Sequence, residues 1–123
     1  MKDADLKKLT VQQLVERFMT LALGQSNALL YDEIGRYNRL YDQIVAIKQE
    51  LMGRDGDQRR ALVPLFTHSD PQVRLVAAQW ALAVAPEAAR ETLQRISDRN
   101  EYPQAAYARG TLMALERGES KLV

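Results

Sequence analysis

A chain of 123 residues with no cysteine, one histidine and a formal charge of +1 is long enough for one domain with its own core, and it excludes disulfides, thiolate metal sites and histidine clusters. Acidic and basic residues nearly balance in every fifth of the sequence, so no segment carries the basic footprint expected of a nucleic-acid binder. The N-terminal run is charged with both signs and has no long apolar stretch, which predicts a cytoplasmic protein without a membrane span.

Strand signals are almost absent. Thr10 suits the N-cap of a helix in which Val11, Leu14, Val15, Phe18, Leu21 and Ala22 recur at helical spacing as far as Leu23. Gly24-Gln25-Ser26-Asn27 predicts a stop and a new cap. A long helix is then expected from Ala28 to Met52, roughly 40 Å at about 1.5 Å per residue, with Leu30, Ile34, Tyr37, Tyr41, Ile44, Val45 and Leu51 turned inward. Gly35 within it costs roughly 1 kcal/mol relative to alanine, which predicts a slight bend or a close neighbour. Gly53-Arg54-Asp55-Gly56 ends this helix.

The second half has shorter helices and clearer punctuation. Asp57 caps an expected helix to Phe66, kinked by Pro64, whose missing N–H removes one backbone bond. Asp70 followed by Pro71 reads as a cap with proline at the first helical position, and the helix it starts is expected to reach Val84. Pro86 opens another to Arg99. Tyr102-Pro103 opens the last, which closes at Gly118 with glycine in the left-handed conformation. The expected fold class is all-α with about six helices. They form a single domain over 1–123, with a long helical pair over 10–53 and two hairpin repeats over 57–84 and 86–118.

Leu62, Leu65, Pro71 and Leu82 find counterparts in Leu93, Ile96, Pro103 and Leu115, offsets of about 31 to 33 residues that belong to stacked helical hairpins. The run Leu65-Phe66-Thr67-His68-Ser69-Asp70-Pro71-Gln72-Val73-Arg74-Leu75-Val76-Ala77-Ala78-Gln79-Trp80-Ala81-Leu82 resembles the HEAT-like repeat consensus, with its aspartate-proline corner, valine-arginine pair and alanine-rich second helix. The whole chain, from Val11-Gln12-Gln13-Leu14-Val15-Glu16-Arg17-Phe18 through Asn38-Arg39-Leu40-Tyr41-Asp42 to Tyr102-Pro103-Gln104-Ala105, is similar to a small bacterial family defined as domain of unknown function number two thousand nineteen. These resemblances imply a right-handed α-α superhelix, a HEAT-like solenoid, and they bring no catalytic residue with them. The second repeat has Ala105 and Ala106 near the valine-arginine positions, which suits a terminal cap.

On a helical wheel Val73, Val76, Ala77, Trp80 and Val84 form one apolar face of the Asp70 helix, and Leu75, Ala78 and Leu82 a second. This helix is expected to be buried from both sides, with Trp80 in the core and Gln72 and Gln79 along a narrow open seam. Arg74, one turn after Asp70, pairs with it at the corner. His68 suits a loop or capping role. Asp32, Glu33, Asp42 and Glu50 lack the Glu-x-x-His pairs of a di-iron bundle.

Candidate partner-binding residues are Tyr31, Arg36, Tyr37, Arg39 and Tyr41, whose tyrosine and arginine composition is enriched at interface hot spots, together with Gln72, Arg74, Gln79 and Arg109. Packing is the competing reading for each. There is no glycine-rich phosphate loop, nucleophile elbow, zinc-ligand spacing or His-Glu-x-x-His. The expected function is therefore a non-enzymatic protein-binding or adaptor module without a cofactor, its partner another protein. The HEAT-like resemblance adds immunity-type or regulatory roles by fold analogy alone. Two alternatives stand beside it. One is nucleic-acid backbone binding through a concave face of Arg59, Arg60, Arg74, Arg90, Arg95, Arg99 and Arg109, and the other is a homodimeric structural protein that self-associates through the exposed side of the long helix; the expected state is a monomer or weak homodimer.

Overall fold

The computed structural model of the chain describes residues 3–118. All of its regular elements are helical: α1 (Asp3–Leu6), α2 (Val11–Leu30), α3 (Ile34–Gly53), a 3-10 segment (Gln58–Thr67), α4 (Pro71–Trp80), α5 (Pro86–Asp98) and α6 (Gln104–Glu116). Among the described residues the fold is thus all-α, with six α-helices. Two compact units divide between Ala61 and Leu62.

In the first unit Thr10 caps α2 as expected. Its hydroxyl accepts the Gln13 N–H at 3.1 Å, and the Gln13 side chain returns the bond by accepting the Thr10 N–H at 2.8 Å. Leu14, Val15, Phe18, Ala22, Gln25 and Ala28 make the buried stripe of α2, and α2 packs along α3. Burying a phenylalanine such as Phe18 stabilises by roughly 2–3 kcal/mol relative to leaving it in water. Leu6 is also buried, and its carbonyl accepts from Arg54, whose Nε binds Glu50 at 3.0 Å. That bond ties α1 to the end of α3.

Gly24 does not stop a helix. It lies inside α2, where a Cβ would stand 3.1 Å from Leu40 Cδ1, so its missing side chain lets α3 come close. The break falls instead at Tyr31-Asp32-Glu33. There the Glu33 N–H binds the Ala28 carbonyl and the Asp32 N–H binds that of Leu29, with Asp32 left-handed at φ 56°. This is a Schellman end, and aspartate is one of the few side chains that tolerate it. The inward assignments of Leu30, Ile34 and Tyr41 are overturned with it, because all three are exposed. Helical spacing carried through a false boundary assigned them to the wrong face.

The segment from Gln58 to Thr67 winds as a 3-10 helix throughout and not as a kinked α-helix. In an α-helix Pro64 would leave the Arg60 carbonyl without a donor and crowd it. Just before it, Asp57 is left-handed and its carboxylate accepts from Arg59 Nε at 2.9 Å and Nη2 at 2.6 Å. These bonds hold the Asp57 carboxyl below the usual carboxylate range, against the opposing effect of burial.

In the second unit the Asp70 carboxylate accepts the N–H groups of Gln72 and Val73, and Pro71 takes the first helical position. From Gln72 to Ala78 every residue of α4 is buried. The expectation of a helix buried from both sides therefore holds for this stretch. α4 ends at Trp80, short of Val84, because the chain turns through Ala81. Trp80 consequently sits at the rim of the helix and is half-buried, a correction to its expected core position. α4 packs on α5, and α5 on α6. Ala89, Thr92, Leu93, Ile96 and Ser97 are the buried stripe of α5, and α6 meets it with the small Ala105 and Ala108. The Tyr102-Pro103 peptide bond is cis. Gly118 follows the C-terminal end of α6 at φ 70°, in the left-handed conformation expected of it.

Gln72 and Gln79 do not line an open seam. Gln72 is fully buried and accepts from Gln104 Nε2 at 2.9 Å, while Gln79 donates to Thr111 Oγ1 at 3.1 Å. Both bonds link residues 32 apart. That separation is close to the offsets of about 31 to 33 residues between the apolar counterparts in the sequence.

Candidate functional site

The largest exposed apolar cluster of the first unit stands at the turn between α2 and α3. Leu30 is 74% exposed, Tyr31 66% and Ile34 68%, three open apolar side chains within five residues, and it is grouped exposure rather than scattered single side chains that marks an interaction surface. No residue from Ile34 to Gln43 is buried, so the first half of α3 continues as open surface. The backbone beneath is nevertheless fixed, by the two Schellman bonds and by Arg36. That guanidinium donates to Asn27 Oδ1 at 2.7 Å and to Glu33 Oε1 at 3.3 Å. Arg39 lies across Gly35, its Nη1 3.4 Å from where a Cβ would stand. Tyr41 is 44% exposed and Tyr37 half-buried.

Of the candidate residues, this surface brings together Tyr31, Arg36, Tyr37, Arg39 and Tyr41, all from the turn and the first two turns of α3. The sequence reading missed Leu30 and Ile34 as surface residues. The signal for them was Asp32, whose tolerance of a left-handed helix end competes with Gly24 as the breaking point.

The remaining candidates belong to the framework of the second unit. Arg74 is buried, and Glu101 is its main partner, with the Asp70 charge adding a smaller attraction. It makes a two-pronged bond to Glu101, Nη1 to Oε1 at 2.7 Å and Nη2 to Oε2 at 2.8 Å, and also donates to the carbonyls of His68 and Ser69. The bond to Glu101 raises the Arg74 guanidinium above its ordinary pKa, and the same bond holds the Glu101 carboxyl below the usual range. Arg109 ties the end of α5 to α6. It donates to Ser97 Oγ and the Ser97 carbonyl, to Asn100 Oδ1 and to Tyr102 Oη, and it stacks over the Tyr102 ring. Gln72 and Gln79 are the α4–α6 links already described. His68 takes the expected loop role: its Nδ1 accepts the Asp70 N–H at 3.0 Å.

Among the described residues no three His, Asp or Glu side chains gather where they could hold a metal ion, and no helix is long and apolar enough to cross a membrane. The protein family described as "Domain of unknown function (DUF2019)" matches residues 12–116. The chain belongs to this family. It is also similar to a crystal structure of the protein RPA1889 from Rhodopseudomonas palustris CGA009, with 45% identity, a TM-score of 0.92, and 94% of this chain and 96% of that one covered. Among curated proteins there is no match. The DUF2019 match runs from the first turn of α2 to the last residue of α6, so the exposed turn and the Arg74 framework both lie inside it.

Proposed function

We propose that this DUF2019 chain is a non-enzymatic protein-binding module, and that the α2–α3 turn is where it grips its partner. The observation that carries this reading is the exposure of Leu30, Tyr31 and Ile34 on a backbone already held by its own hydrogen bonds. Apolar and aromatic anchors on a preformed turn lose little entropy on docking, and Arg36 and Arg39 beside them supply the polar rim. A HEAT-like, right-handed superhelical scaffold belongs to the same reading. It is supported by the order in which consecutive helices of the second unit neighbour one another, and by the 32-residue offset between bonded positions of α4 and α6. A cytoplasmic site of action, with an immunity-type or regulatory partner, completes the proposal.

Nucleic-acid binding through a shared arginine face finds less support. Arg59, Arg74 and Arg109 are engaged by Asp57, by Glu101 and by the α5–α6 corner. Arg90 faces Glu87, Glu91 and Glu116, in a different hollow from Arg95 and Arg99.

The test places a photoreactive phenylalanine at Tyr31 in cells and, separately, at Tyr107, which is 50% exposed on α6. The expected outcome is one discrete heterologous adduct from position 31, lost when Leu30 and Ile34 are changed to serine. Equal labelling from position 107 sinks the proposal. An adduct with the mass of two copies assigns the turn to self-association instead.

A further inference from the structure

A hollow of about 320 Å³ in the second unit is lined by Phe66, Thr67, His68, Ser69, Arg74, Thr92, Arg95 and Arg99. Its size is near the lower end of the roughly 300–1,000 Å³ typical of small-ligand sites. The composition is one-sided: three guanidiniums, one imidazole and three hydroxyls, with no carboxylate in the wall.

The donors differ in what they have left to give. Arg74 engages four of its five N–H groups on Glu101, His68 and Ser69, and it forms the fixed back of the hollow. Arg95 is 57% exposed and meets Glu91 at 3.3 Å, an exposed pair of little strength. The Arg99 guanidinium makes no hydrogen bond or salt bridge among the described residues, although its charge acts on the nearby Glu101 carboxylate. Thr92, Arg95 and Arg99 follow one another at three- and four-residue spacing, so they share one face of α5 and its C-terminal end. Because His68 Nδ1 accepts the Asp70 N–H, the neutral ring carries its proton on Nε2 and keeps a donor there. The Ser69 hydroxyl likewise has no bond among the described residues.

We propose that this hollow binds a compact, multiply charged oxyanion, the phosphate group of a small phosphorylated molecule. Arg95 and Arg99 close on it from α5 in the geometry that guanidinium offers to phosphate oxygens. His68 and Ser69 donate from the loop before α4, and Phe66 supplies an apolar wall for the organic part. A polymer is a poorer fit, because the positive charge does not continue along α5: Glu91 and Asp98 flank it, and Arg90 belongs to the glutamate-lined hollow.

The experiment is an NMR titration of the nitrogen-15-labelled full chain with inorganic phosphate, pyrophosphate and glycerol 3-phosphate, at ionic strength held constant with chloride. Saturable shifts are expected at the amides of residues 66–69 and 92–99. Changing Arg95 and Arg99 together to glutamine is expected to weaken binding roughly tenfold or more, whereas Arg90→Gln, outside the hollow, changes it less than about twofold. Both positions are exposed, so folding is preserved and is checked by the rest of the spectrum. Shifts that stay linear with concentration, or that weaken equally with Arg90→Gln, overturn the proposal. So does a response to a short DNA duplex with none to phosphate or pyrophosphate, which would assign these cations to a polymer.

Discussion

Tyr31-Asp32-Glu33 and Arg99-Asn100-Glu101 end α2 and α5 with the same pair of backbone bonds and a left-handed central residue, Asp32 in one and Asn100 in the other. Their side chains do opposite things. After α5, Asn100 accepts from Arg109, and Glu101 accepts from the buried Arg74. After α2, Asp32 makes no side-chain bond among the described residues, and Leu30, Tyr31 and Ile34 stand out in solvent. The comparison teaches that a helical corner can be ordered by its backbone and a single exposed arginine, Arg36, with no buried side-chain tie. Where side chains are added inward they hold the fold, and where they are left outward they are available to a partner.

The largest effect is expected from breaking the α5 corner. Arg74→Ala leaves Glu101 and two carbonyls without their donor, at a cost of about 3 kcal/mol in urea denaturation at pH 7. Glu101→Gln costs less, and its cost depends on pH. The folded Glu101 carboxyl titrates below its unfolded value, so the unfolded chain binds more protons across that interval. The stability it contributes is complete above about pH 4.3 and disappears as pH falls through the folded value. The gap between wild type and Glu101→Gln should therefore close in acid. A gap of constant size down to pH 3 would falsify the ion-pair account. Some acid sensitivity must persist in the variant, since Asp57 is lowered in the same sense by Arg59.

A smaller effect separates the two left-handed residues directly. Asp32→Gly relieves the left-handed position without losing a bond and is expected to stabilise by about 0.5 kcal/mol. Asn100→Gly relieves the same strain but removes the 2.6 Å bond from Arg109, for a net loss of about 1 kcal/mol. Equal changes from both substitutions would mean that the side-chain ties at the α5 corner are idle.

Much of the scaffold was legible because its signals are local. Thr10, Asp70-Pro71, Pro86 and Gly118 mark helix ends through chemistry confined to a few residues, whereas the α4–α6 bonds of Gln72 and Gln79 were not foreseen. Gly24 misled because glycine has two uses: it breaks helices, and it lets helices approach. Only the position of Leu40 distinguishes them. Glu101 gave no sign of pairing with Arg74, 27 residues away, because nothing local encodes such a contact. The aromatic and arginine cluster was visible as composition, but its exposure depended on where α2 ended.

The smallest expected change in stability belongs to the α2 corner, and it is the one that bears on function. Changing Leu30 and Ile34 together to serine removes two large apolar side chains, yet both already lie largely in water, so little burial is lost. The unfolding midpoint should move by no more than the equivalent of about 0.5 kcal/mol. Partner capture through position 31 should disappear in the same variant. If stability instead falls by an amount comparable to Arg74→Ala, Leu30 and Ile34 are structural in solution. The two corners would then differ in which contacts they use, not in whether their side chains face a partner.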